Sequence, residues 1–76
     1  MFVINGEQWR VVNVPPSHPA LRRPSGEVAL GMCYDDNKTI YISDILEAYP
    51  HLYKKVLCHE VVHAAMFSYD IYLEYD

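Results

Sequence analysis

The stretch Val56-Leu57-Cys58-His59-Glu60-Val61-Val62-His63-Ala64-Ala65 constrains this chain more than any other. Two histidines and a glutamate stand there among uncharged neighbours. From residue 51 onward the pattern is helical. Leu52, Val56, His59, His63, Phe67 and Asp70 share one stripe at three- and four-residue spacing, and Cys58, Val62, Ala65, Met66 and Tyr69 share the next. A helix apolar over so much of its circumference needs cover. The chain has 76 residues, enough for one small core, and the helix is expected to be buried against a sheet formed by the residues before it.

Those residues read as hairpins. Asn5-Gly6 is a strong turn signal, because both residues tolerate the positive φ of a type I′ turn. Residues 2–4 and 8–12 are its two arms. Residues 15–27 hold four of the five prolines, which cannot donate to a ladder, so this segment reads as a surface loop. His18 within it reads as an exposed loop histidine. Residues 28–34 and Thr39–Ser43 form a second hairpin around a turn at residues 35–38. Gly31 in mid-strand signals a bulge or a close backbone approach. Asp44 with Glu47 three residues later resembles a capping box for a short helix at Ile45, and Pro50 suits the first turn of the long helix. The expected fold class is α+β: one domain over residues 1–76, a small antiparallel sheet of hairpins packed on a C-terminal helix.

His59 and His63 are four residues apart. On a helix this puts them on one face, with Cβ atoms about 5–6 Å apart. Two imidazole nitrogens can then converge on Zn²⁺ at about 2.0–2.1 Å each. Glu60 projects about 100° away around the helix. It is poorly placed as a ligand and well placed to take a proton from water as general base. Burying these three polar groups without a purpose is costly. Adjacent helix positions point apart, so Cys58 does not pair with His59 as a nucleophile and reads as a small core residue.

The segment His59-Glu60-Val61-Val62-His63 resembles the zincin metallopeptidase signature. A hairpin, a strand ending near Ser43, a short linker and then the motif helix are similar to small gluzincin-like domains of the ImmA/IrrE type, common in phages and mobile elements, with SprT-like domains as near neighbours. The resemblance covers roughly residues 28–67. It implies a zinc-dependent hydrolase of protein substrates in which His59 and His63 bind Zn²⁺ and Glu60 is the catalytic acid/base. It also implies an edge strand, Thr39–Ser43, that holds an extended peptide by strand addition. The alternative is a catalytically silent module of the same fold that acts by binding.

The third metal ligand departs from the family pattern. Tyr69 stands where astacin-like zincins carry a histidine, which leaves Asp70, Glu74 and Asp76. Asp70 lies about 10 Å along the helix axis from His63 and cannot reach the metal if the helix runs on. Glu74 and Asp76 require the chain to turn back near residues 67–68. The closing segment has no glycine or proline to stop a helix, so the expectation is a truncated or minimal domain. Tyr69, Tyr72 and Tyr75 recur every third residue. They read as packing aromatics or as donors to an oxyanion, and with Phe67 they are the expected contact of a homo-oligomer.

Composition excludes several classes. Net charge is −4 and the basic residues pair only as Arg22-Arg23 and Lys54-Lys55, which argues against a nucleic-acid surface. Apolar runs are far shorter than a membrane span, and the N-terminus lacks the layout of a signal peptide. With Cys33 and Cys58 the only cysteines, two reduced thiols in a cytoplasmic protein are expected, with a single disulfide between them as the alternative.

Overall fold

The computed structural model describes residues 1–71. Strand β1 (Phe2–Ile4) and strand β2 (Glu7–Val14) form the first hairpin. Asn5 and Gly6 between them have φ of 50° and 79°, the dihedrals a type I′ turn demands. After a short 3₁₀ turn (Pro19–Leu21) come β3 (Gly31–Tyr34) and β4 (Thr39–Ser43), antiparallel around residues 35–38. A second 3₁₀ turn (Asp44–Ala48) leads to the helix α1 (Pro50–Tyr69), which Pro50 opens. The expected capping box is not formed. Asp44 lies inside the 3₁₀ turn, and its cap, Ser43, makes no side-chain capping bond.

The four strands form one mixed sheet in the order β1-β2-β4-β3. This corrects the all-antiparallel expectation, because β2 and β4 run parallel, with Arg10 opposite Thr39 and Val14 opposite Ser43. The proline-rich connection is long enough to carry the chain across, so β4 inserts beside β2 and β3 is left at the edge. Thr39–Ser43 is therefore an inner strand. Both of its sides are hydrogen-bonded, and it cannot accept a peptide by strand addition. Four of its five residues are buried, as a central strand requires.

Alternation divides the sheet faces. Trp9, Ile40 and Ile42 face α1 and form the core with Leu46 and Ala64, and Val11, Cys33, Val56, Leu57, Val61 and Phe67 pack around them. The proline-rich loop covers the opposite face. There His18 stacks on Tyr41 at 5.5 Å, Tyr34 donates to the Ala20 carbonyl, and Leu21 is fully buried. His18 is thus half-buried rather than exposed, and its Nδ1 accepts from the Ala20 N–H as a cap.

The helix stops at Asp70. That residue is left-handed at φ 54°, its N–H bonds the Phe67 carbonyl, and the Ile71 N–H bonds the Met66 carbonyl. This is a Schellman cap with aspartate in the position glycine usually holds. The sequence offers no glycine or proline to end the helix, and Asp70 ends it because a short polar side chain tolerates this region. Ser68 ties the helix end to the first hairpin: its hydroxyl accepts from Trp9 Nε1 at 2.8 Å and its carbonyl from Asn5 Nδ2 at 2.9 Å. No helix among the described residues is long and apolar enough to cross a membrane.

Candidate metal centre

The innermost stripe of α1 is Glu60, Ala64 and Ser68, the helix residues that are buried. Small side chains at Ala64 and Ser68 let the helix lie close to the sheet. Gly31 on β3 completes the approach. A Cβ at that position would lie 2.7 Å from Val56 Cγ1 and 3.2 Å from Glu60 Cγ. The glycine signal read from the sequence is therefore a close approach, and it brings the β3 backbone against the motif. His59 and His63 flank the stripe, half-buried. Cys58 is exposed rather than a core residue, because it lies on the side of α1 turned away from the sheet.

The two histidines converge. Their Nε2 atoms are 3.1 Å apart, with ring centroids 4.8 Å apart and ring planes at 68°. Two nitrogens at that separation, each about 2.0–2.1 Å from a common Zn²⁺, subtend roughly 100°, close to a tetrahedral angle. The pair fits two positions of a zinc site. Among the described residues no third histidine, cysteine, aspartate or glutamate joins them. Asp70 is taken up as the helix cap, and Glu74 and Asp76 lie outside the described residues, as do Tyr72 and Tyr75. Tyr69 is exposed, and Phe67 packs against the core.

Glu60 is only 8% exposed. Burial pushes its carboxyl above the ordinary value, and His63, His59 and Arg23 pull it partly back. A carboxylate raised in this way is better matched to taking a proton near neutral pH. Cys33, on the same face of β3 as Gly31, has its thiol pushed up to about 12 by burial and then by the nearby Glu60 carboxylate.

Two features were missed in the sequence. The first is the free edge of β3. Ser43 N–H bonds the Leu30 carbonyl, which sets the phase of the ladder: residues 30, 32 and 34 bond inward to β4. The N–H and C=O of Gly31 and Cys33 therefore point outward, beside a cleft that Gly31, Cys33, His59, Glu60 and His63 line together. The second is Arg23, read from the sequence only as half of a basic pair. Its backbone closes a small turn, accepting from the Gly26 N–H and donating to the Glu27 carbonyl, and Arg23 lines the same cleft. The Pro24-Ser25-Gly26 run marks that turn in the sequence, but nothing local says what it faces. Comparison with protein-family models, with curated proteins and with solved structures finds no match to this chain.

Proposed function

We propose that this chain is a zinc-dependent peptidase domain in which His59 and His63 hold the metal and Glu60 is the general base. The observation that carries this reading is the convergence of the two Nε2 atoms at 3.1 Å beside a buried glutamate on the same helix. Zn²⁺ held there supplies Lewis-acid polarisation and brings the pKa of water from roughly 15.7 to 7. The remaining work belongs to the chain. Glu60 takes the proton of the attacking water and passes it to the leaving nitrogen. The outward groups of Gly31 and Cys33 on β3 pair with an extended peptide and hold its carbonyl near Glu60.

Equilibrium dialysis against Zn²⁺ followed by metal analysis tests the ligands. The wild type retains zinc and His63→Ala loses it, and equal content in both removes the metal assignment. Glu60→Gln tests the base. It keeps zinc and loses about 10²–10⁴-fold in peptide hydrolysis. Full turnover in that variant removes the role.

A further inference from the structure

Two clefts flank the part of α1 that carries His59 and Glu60. One, of about 440 Å³, extends past Glu27, Val28, Leu30, Lys55 and Val56. The other, of about 550 Å³, extends past Pro24, Ser25, Met32, Cys33, His63 and Phe67. Four residues line both: Arg23, Gly31, His59 and Glu60. A peptide lying across the two clefts has its reacting bond where they meet. At that junction His59 would help hold the metal, Glu60 would take the proton of the attacking water, and Gly31 would offer backbone to the substrate. Arg23 is the fourth member. It brings a permanent positive charge to the junction, whereas Lys55 reaches one cleft alone.

The backbone of Arg23 is fixed. Its N–H donates to the Glu27 carbonyl at 2.8 Å, its carbonyl accepts from Gly26 at 2.9 Å, and the adjacent Arg22 bridges to Val28. Its side chain is exposed to the clefts, and among the described residues no ion pair holds it. The charge reaches the site, since Arg23 is one of the groups that act on the Glu60 carboxyl.

We infer that Arg23 is a catalytic residue that binds the oxyanion formed from the substrate carbonyl, an inference that rests on the peptidase reading above. In the addition step a bond forms between the water oxygen and the carbonyl carbon. The carbonyl π pair moves onto its oxygen, and the proton of the water goes to Glu60. The guanidinium fork of Arg23 donates to that oxygen as its charge develops. On collapse the C–N bond breaks, and the proton held by Glu60 goes to the leaving nitrogen. Because the charge exists in the transition state and not in the bound peptide, the contact acts on kcat. An arginine that anchored an acidic substrate side chain would act on KM instead.

The test uses zinc-loaded wild type, Arg23→Gln and Arg23→Lys with two probes, a pool of fluorogenic peptides and a phosphinic peptide whose anionic tetrahedral group mimics the oxyanion. Arg23→Gln lowers kcat by about 10²–10³-fold, with KM within about threefold. Its phosphinic affinity falls by a similar factor while zinc content and Tm hold. Arg23→Lys recovers part of both losses, which a merely structural residue would not show. A raised KM at unchanged kcat, or unchanged phosphinic affinity in Arg23→Gln, overturns the assignment. If the wild type cleaves no peptide, calorimetry with the phosphinic probe still decides. Binding by the wild type that is lost in Arg23→Gln upholds Arg23 as the group that receives a tetrahedral anion at the junction while its catalytic role falls with the peptidase reading, whereas equal binding in both or none in either overturns Arg23 altogether.

Discussion

Glu60 is held where a carboxylate is hardest to hold, on the inward stripe of α1 against Gly31, and burial raises its pKa above 4.5. The sign of the consequence follows from linkage. A raised folded-state pKa contributes stability that is fully present below 4.5 and is lost as pH rises through the folded value. In the metal-free protein, Glu60→Gln is therefore more stable than the wild type at pH 7, and the difference shrinks below pH 4.5. Urea titrations in chelator at pH 7 and at pH 4 measure it, and an equal difference at both would contradict it. On the proposed reading, a cation held by His59 and His63 would compensate the buried Glu60 charge. The cysteines separate in the same way. With its thiol pushed up to about 12 by burial, Cys33 stays protonated and unreactive at pH 8. Exposed Cys58 should take iodoacetamide at that pH in the native protein, and Cys33 only after unfolding. Peptide mass mapping reads both, and equal labelling of the two would contradict the burial argument.

Among the elements, α1 and β3 are matched surfaces. A methyl group at Gly31 would meet Val56 Cγ1 at 2.7 Å and Glu60 Cγ at 3.2 Å. Gly31→Ala should thus cost about 1–3 kcal/mol through overpacking, and it should weaken zinc retention by displacing the motif. A change within about 0.5 kcal/mol in the urea midpoint would mean that the helix retreats freely. What was legible at this scale was local. Asn5-Gly6 fixes its own dihedrals, Pro50 opens a helix because its missing donor is unneeded there, and four-residue spacing puts His59 and His63 on one face. What was hidden depends on distant partners. Nothing in Thr39–Ser43 says that β2 will lie beside it, so a strand that is one of the two inner ones reads as an edge in the sequence. The apolar stripes of α1 pointed to Leu52 and Cys58 as inward, yet the closest approach goes to the small residues Ala64 and Ser68. Asp70 ends the helix in the conformation usually given to glycine, so composition carried no stop signal.

At the scale of the whole molecule, the reading predicts that metal and fold are coupled. A ligand at 100 times its Kd stabilises by about 2.7 kcal/mol, which in a domain this small raises Tm by roughly 10–20 °C. Differential scanning calorimetry with Zn²⁺ and then with excess chelator should show that rise and its reversal in the wild type and neither in His63→Ala. A shift of equal size in the variant would mean that zinc acts elsewhere. The bonds from Asn5 and Trp9 to Ser68 span 63 and 59 residues. They impose an order in time. During synthesis the first hairpin leaves the ribosome without its cover, and at about 5–20 residues per second the wait for Ser68 lasts roughly 3–12 s. For that interval Phe2, Ile4 and Trp9 present bare apolar surface to the cell's holdases. Ribosome-arrested chains that expose residues up to 60, compared with chains that expose Ser68, should differ sharply in protease resistance of the hairpin, and equal resistance would contradict this order. His59 and His63 emerge only a few residues ahead of Ser68, so on the proposed reading zinc would be captured at the same late stage at which the hairpin gains its cover.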